Sequence, residues 1–383
     1  MRICLISAAL PPALDGIGDY TANLAVELAR RHCVTVLCGR SGADPVPGCE
    51  VGTAFDAARI RSVLALPDAI AGLGADWVVL QYCPFSYGRW GFNPYLILAL
   101  RRLKRKSPGV RLAVTVHEPM AWPINWKLRT MNLWQGPQLH GLVRISDMVL
   151  LVVGVWRSQY ARWLTRSPTS HLPVGSNIPR YPIERVDARE RLAIGGGTTV
   201  LGIFGQGHHS QSWEFAAKAA DGVLGATRDA LVVHLGPGSE RAKSLFGALP
   251  VRSDGFLPAD EVSRRLSAVD VFLSPFADGV STRRTTLMAA LQHGLPTVGT
   301  SGDATDVVLS EADGRALVLT PAGDAAAFCD ATVRLALDAG LRAEMGMEAS
   351  HLYEREFAWP VIARRLEQTL ARYATDHLPR HAA

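Results

Sequence analysis

RICLISAALPPALDGIGDYTANLAVELARRHCVTVLCG, residues 2–39, decides the fold class. Residues 2–10 form an almost unbroken apolar run, the composition of a strand buried on both faces of a parallel sheet. Pro11, Pro12, Asp15, Gly16 and Gly18 then break the run into a loop. Residues 20–31 place apolar side chains at helical spacing and end on Arg30 and Arg31, charges suited to a helix C-terminus. A second apolar run, CVTVLCG, follows. Strand, loop, helix, strand is a βαβ unit, the building block of a doubly wound parallel sheet.

The alternation extends outward from this stretch. DWVVLQY (76–82), VRLAVTVHE (110–118) and SDMVLLVV (146–153) are strand-like, and PYLILALRRLKRK (94–106) is helical. Residues 172–197 are rich in Pro and Gly and mark a connection. A second alternation begins at TTVLGIFG (198–205) and runs through SWEFAAKAADGVLGA, ALVVHLGPG, PADEVSRRLSAV, DVFLSPF, TTLMAALQHG and LPTVGT. An amphipathic helix, FAWPVIARRLEQTLARYA (357–374), comes last. At 383 residues the chain exceeds the ~250–300 residues at which single cores stop growing. The expected architecture is therefore α/β: two tandem Rossmann-like domains, each a doubly wound parallel sheet, facing across a cleft. Ligands in such sheets bind beyond the carboxyl ends of the strands.

Composition narrows the function classes. With 48% apolar and 20% charged residues the chain is globular. A net charge of +5 favours anionic ligands, yet is too small to argue for nucleic acid, and no nucleic-acid motif is present. The six cysteines form no CxxC and no ligand-like spacing with histidine, which fits a reducing, cytoplasmic setting. The first apolar run is too short for a signal peptide, and no window reaches ~20 uninterrupted apolar residues.

Four segments fall where chemistry is expected. Gly16 and Gly18 precede a helix, where backbone N–H groups approach an anion; a tight βα turn explains them equally well. His117 and Glu118 end an apolar strand, and Trp122, Trp126 and Trp134 follow as candidate sugar-stacking or membrane-interface rings. Gly205-Gln206-Gly207-His208-His209 is the first loop of the second alternation. Its adjacent histidines do not converge on one ion, so no metal site is expected. The richest segment is residues 270–300: a strand ending near Pro275, a loop with Asp278, Gly279 and Ser281, then Arg283 and Arg284 before a helix opened by Thr285 and Thr286. Arginine forks, threonine hydroxyls and helix-start N–H groups together make a diphosphate cradle without a metal. Basic residues at a helix start oppose its dipole, so the pair calls for an anion.

Taken in order, these phrases resemble the retaining glycosyltransferases of the GT-B fold, family GT4, of the bacterial polysaccharide-assembly type. The resemblance rests on PPALDGIGDYTANLAVELARR, TVHE and LPVGSNIP in the first half. In the second it rests on TTVLGIFG, GFLPADEVSRRLSAVDVFLSPF and DGVSTRRTTLMAALQHGLPTVGT. It implies transfer of a sugar from a nucleotide-diphosphate donor with retained configuration, no cofactor and no essential metal. It implies an acceptor-binding domain over residues 1–178, a linker over 179–198, a donor-binding domain over 199–357, and a final helix over 358–383 returning to the first domain. His117, with Glu118 and Arg283, is implied in catalysis. Gly16, Gly18, Gly205, Gln206, Asp278, Gly279, Ser281, Arg283, Arg284, Thr285 and Thr286 would meet the donor. Asp19, Tyr20, Tyr82, Trp122 and Trp126 would meet a glycan or lipid-linked acceptor.

The sequence departs from the family pattern. Gln206 and Gln211 stand where the family carries an arginine and a lysine on the diphosphate, and Ala289 where it carries a glutamate on the ribose. Ser281 or Asp278 occupies the place of a second glutamate, on the donor sugar. Arg283 and Arg284 are the available substitute cations. Two further readings therefore stay open: a sugar-nucleotide epimerase or phosphorylase on the same scaffold, and a degenerate, non-catalytic sugar-nucleotide-binding protein. The helix over residues 94–106, apolar then basic, adds an expectation of weak docking on an anionic membrane face, with the Trp122 to Trp134 segment at headgroup level.

Overall fold

The computed structural model describes residues 1–122, 125–164, 167–207, 210–247 and 249–376. The chain divides into two compact units: Met1–Pro173 together with the chain from Trp359 onward, and Val174–Ala358.

The first unit runs β1 (Arg2–Ser7), α1 (Gly16–Ala29), β2 (Cys33–Cys38), β3 (Cys49–Thr53), α2 (Leu66–Ala71), β4 (Trp77–Tyr82), α3 (Pro84–Tyr87), α4 (Pro94–Lys106), β5 (Arg111–Val116), α5 (Trp126–Ile145), β6 (Met148–Leu151), α6 (Trp156–Gln159) and β7 (Thr169–His171). Its seven strands pair in parallel in the order β3-β2-β1-β4-β5-β6-β7. Ile3 sits opposite both Val34 and Trp77, so the run quoted above is an inner strand of the sheet. The first strand stops at Ser7, earlier than its hydrophobicity suggests, where Ser7 Oγ donates to Ala9 O at 2.7 Å and turns the chain. The following helix starts earlier too, at Gly16. Asp15 is its N-cap and accepts from Ile17 N (3.0 Å) and Gly18 N (2.7 Å).

The second unit runs α7 (Arg185–Arg191), β8 (Thr199–Phe204), α8 (Trp213–Thr227), β9 (Ala230–Leu235), α9 (Ser239–Phe246), β10 (Val251–Ser253), α10 (Ala259–Ser267), β11 (Val271–Ser274), α11 (Thr285–Gln292), β12 (Thr297–Ser301), α12 (Val307–Ser310), β13 (Val318–Pro321), α13 (Ala325–Leu337) and α14 (Ala339–Glu356). Its sheet is parallel, ordered β10-β9-β8-β11-β12-β13. Trp213 and Phe328 pack in a cluster on one face, Leu266, Phe272 and Ala289 in a cluster on the other. Both sheets are thus doubly wound, the class the alternation predicts.

Residues 179–198, expected as a linker, contain α7 and count with the second unit. Arg185 and Arg189, one helical turn apart, both pair with the buried Asp270, which also accepts from Val200 N at 2.8 Å. The last helix, α15 (Trp359–Asp376), lies in the first unit. Ile362, Leu366 and Leu370 are fully buried, Trp359 meets Tyr20 edge-on at 5.3 Å, and Tyr373 meets Trp77 at 5.5 Å. Each such apolar side chain contributes ~1.5–3 kcal/mol on burial. Among the described residues no helix is long and apolar enough to cross a membrane.

Candidate functional site

In the first unit, the expected site residues gather at the carboxyl edge of the sheet. His117 follows β5, its N–H donating to Tyr82 O at 2.9 Å. Its ring is buried; Nε2 lies 2.8 Å from Gln81 Oε1, and the Tyr20 ring meets it edge-on at 4.7 Å. Burial lowers the His117 pKa to about 3, so the imidazole is neutral at working pH. With Gln81 Oε1 accepting, the His117 proton sits on Nε2 and Nδ1 is left as an acceptor. Glu118 Oε2 accepts from Cys83 Sγ at 3.7 Å. Asp19, in the first turn of α1, has its pKa raised to about 6 by burial and by Asp15.

The glycine loop does a different job from the one its residue types suggest. The Ile17 and Gly18 N–H groups are given to Asp15. A Cβ at Gly18 would meet Ala9 O at 2.9 Å, so this glycine is required by the close approach of α1 to the chain leaving β1. Tyr20 and Tyr82, expected at the acceptor surface, are core residues: Tyr82 is 0% exposed and its hydroxyl accepts from Gln138 Nε2 at 3.1 Å. Trp122 and Trp126 are exposed, with Trp126 at 71%. Phe85, Trp90, Phe92 and Leu133 are exposed as well. Trp134 Nε1 and Gln135 Nε2 both donate to Trp90 O at 3.0 Å, fixing this segment against α5.

In the second unit two loops meet beyond the carboxyl edge. The β8 and β11 loops are stitched by Ala277 N to Ser210 O (2.8 Å), Ser212 N to Pro275 O (3.0 Å) and a Gln211–Phe276 bridge. Ser210, Gln211 and Ser212 are thereby held against Pro275, Phe276 and Ala277. Gln211 braces the first loop, accepting from Gly207 N at 3.1 Å and donating to Phe204 O at 3.0 Å. His208 and His209 lie outside the described residues. Among those described, no group of three or more His, Cys, Asp or Glu is placed to hold a metal ion.

The second loop is rigid. Gly279 has φ +84, and a Cβ there would stand 2.4 Å from Gly302 N. Thr282 N and Oγ1 both donate to Asp306 Oδ2 (2.9 and 2.6 Å), and Val280 N donates to Thr300 O (2.7 Å). Asp278, its side chain 2% exposed, accepts from Arg283 Nη2 (2.9 Å) and Arg284 Nη2 (2.8 Å). The Arg284 guanidinium also lies 4.0 Å above the Phe276 ring. Two cations thus share one carboxylate, next to a helix, α11, whose start carries no side-chain cap. Such a start attracts a further anion. Ser281 is buried and faces inward. Residue types alone did not single out Gln81, His234 and Arg241. His234 Nε2 lies 2.8 Å from Gly205 O and Arg241 Nη1 donates to Gly207 O at 2.6 Å. Gln81 and His234 share a legible signal: each is a polar residue near the end of an otherwise apolar strand.

Residues 198–338 match the family "Glycosyl transferases group 1". The chain is 23% identical over 385 residues to a GDP-mannose-dependent alpha-(1-6)-phosphatidylinositol monomannoside mannosyltransferase of Mycolicibacterium smegmatis, covering 96% of this chain and 97% of that one. It is 24% identical to a 2-deoxystreptamine glucosyltransferase of Streptomyces kanamyceticus, over 57% of this chain and 62% of that one. Among solved structures, sucrose-phosphate synthase from Thermosynechococcus elongatus aligns with TM-score 0.74 at 18% identity, covering 98% of this chain and 99% of that one. Anabaena HepE, in complex with UDP and glucose, aligns with TM-score 0.70 at 14% identity, covering 97% and 100%. The domain match over residues 198–338 and the similarity to mannosyl- and glucosyltransferases support a glycosyltransferase that is GT4-like, and the solved structures share its GT-B fold.

Proposed function

We propose that the chain moves a sugar from a nucleotide-diphosphate donor to a glycan, lipid-linked or small-molecule acceptor, with retention of configuration and without a metal ion. The observation that carries this reading is the Arg283–Asp278–Arg284 cluster at the uncapped start of α11. As the glycosidic bond breaks, negative charge grows on the leaving diphosphate. Preorganised donors aimed at that charge are the largest lever an enzyme has. Arg283, Arg284 and the N–H groups of Thr285 and Thr286 supply them, taking the place of the cations missing at Gln206 and Gln211. Neutral His117, oriented by Gln81, positions the sugar without adding charge.

Donors of this kind occur among the relatives: GDP-mannose for the mycobacterial enzyme, UDP-glucose in a HepE complex. The phosphatidylinositol mannoside named for the same relative supports a lipid-linked acceptor. The exposed rings of Trp90 and Trp126 support contact with a membrane face. A second reading, donor binding without turnover, is favoured by Ala289, which offers the ribose no carboxylate.

The test is transfer from a panel of nucleotide sugars to lipid-linked and soluble acceptors in the presence of EDTA, with the product anomer read by NMR. A retained anomer formed in EDTA is expected. An inverted anomer, or activity restored only by Mg²⁺ or Mn²⁺, would overturn the mechanism. Calorimetric donor binding with no product across the panel would establish the second reading.

A further inference from the structure

A cavity of about 530 Å³ opens in the second unit at the edge of the sheet opposite the donor loops. Its walls include Asp270, Leu295 and Pro296, which immediately precede β11 and β12. The loops carrying Gln206 and Arg283 leave the other ends of the strands, so the cavity is no part of the donor site. Its volume lies within the ~300–1,000 Å³ typical of small-molecule sites.

Its charge is basic on balance. Arg180, Arg185 and Arg342 line it against Glu184 and Asp270, and Arg189 pairs with Asp270 as well. Asp270 is already shared by Arg185 and Arg189. Among the described residues neither Arg180 nor Arg342 reaches a carboxylate within ion-pair distance. Arg342 Nη1 instead donates to Leu335 O (2.7 Å) and Ala336 O (2.6 Å), which holds its guanidinium in place at the cavity wall. Burial and the neighbouring Arg342 both lower the Arg185 pKa, the mark of like charges gathered with too few counter-charges. The pocket is also built to close tolerance: a Cβ at Gly346 would lie 2.6 Å from Gly294 O, so two glycines let α14 approach the turn after α11 and form one wall.

Guanidinium groups lining a concave surface match the oxygens of a phosphate group. We propose that this cavity binds a phosphate-bearing small molecule, as a second ligand site of the donor-binding unit. The phosphate would sit between Arg180, Arg185 and Arg342, the remainder of the molecule along Leu295, Pro296 and Met347.

Calorimetric titration of the full chain with inorganic phosphate, and separately with glucose 6-phosphate, at constant ionic strength tests this. Saturable binding of at least one probe is expected. It should weaken roughly tenfold in Arg180→Gln and in Arg342→Gln, the loss of one charged hydrogen bond, and persist in Arg283→Ala. Tighter binding of glucose 6-phosphate would assign the site to a phosphate ester, and equal affinities to the phosphate group alone. Among the described residues Arg180 makes no hydrogen bond or ion pair, so Arg180→Gln decides the matter even if Arg342→Gln unfolds. No binding of either probe, unchanged affinity in Arg180→Gln, or loss in Arg283→Ala instead would overturn the proposal.

Discussion

Asp278 Oδ1 accepts from Arg284 Nη2 at 2.8 Å while Asp278 Oδ2 accepts from Arg283 Nη2 at 2.9 Å. One buried carboxylate therefore holds two guanidiniums side by side at a helix start. This explains how adjacent arginines survive where the helix dipole disfavours them. Arg283→Ala or Arg284→Ala should each weaken nucleoside-diphosphate binding by ~1.5–3 kcal/mol, as for a charged hydrogen bond. Titration calorimetry checks it, and parental affinity in both variants would remove the pair from the donor site. Asp278→Asn removes the buried carboxylate that Arg283 and Arg284 share and should lower unfolding free energy by about 3 kcal/mol.

His117 is predicted to matter for turnover more than for folding. His117→Ala keeps the β5 backbone bond to Tyr82 O and loses only the Gln81 contact and ring packing. The variant should fold and bind nucleotide yet lose most transfer, and full activity would exclude His117 from the site.

The buried histidines set an acid limit. His117 titrates at about 3 and His293 at about 4 in the folded chain, against an ordinary 6.5, each through burial. Between about 6.5 and 4 the unfolded chain takes up protons that the folded chain refuses. Unfolding free energy is therefore held above pH 6.5 and falls as pH drops through this window. The slope is roughly 1.4 kcal/mol per pH unit for each fully differential proton. Asp19, raised to about 6, opposes the trend between about 6 and 4, because there the folded chain holds the extra proton. The clean readout is a comparison: His293→Gln should show a shallower loss of stability from pH 6.5 to 5 in urea titrations. An identical slope would show that His293 does not carry it.

Gly279→Ala should cost stability out of proportion to one methyl group. The residue has φ +84, and the new Cβ would strike the Gly302 backbone at 2.4 Å. A left-handed backbone at a non-glycine residue alone costs ~1–3 kcal/mol, so a loss of at least ~2 kcal/mol is expected by thermal or denaturant unfolding. Parental stability would mean the loop is not held as described.

The proposed membrane contact is predicted to fall at one end of α4. Its basic end is at the amino edge of the sheet, where Lys104 pairs with Asp147 at 2.6 Å and Lys106 with Asp68. Its amino end is tied to the exposed Trp90, since Asn93, its N-cap, is bonded through Gln138 to the segment holding Trp90. Thirteen residues, roughly 20 Å of helix, separate the two ends. Weak co-sedimentation with anionic vesicles should fall in Trp90→Ser and Trp126→Ser and persist in Arg101→Gln with Arg105→Gln. The opposite pattern would assign docking to the basic end.

Alternating apolar runs and helical spacing determined the doubly wound class, because buried parallel strands demand continuous apolar side chains and their crossover helices one apolar stripe. That Gly16, His117 and Arg283 stand just beyond strand ends was legible as well, since an apolar run that stops at a polar or glycine residue marks the edge of a buried sheet. What tertiary structure alone decided is which polar groups are spent on the fold. Asp15 takes the Gly18 N–H, Tyr82 turns into the core, Asp278 pairs with both arginines, and Arg185 and Arg189 tie a Pro-rich connection to Asp270. A residue's chemistry is written in its type, but its hydrogen-bond partner comes from another strand end or helix tens of residues away. Only the closed packing of the unit brings the two together.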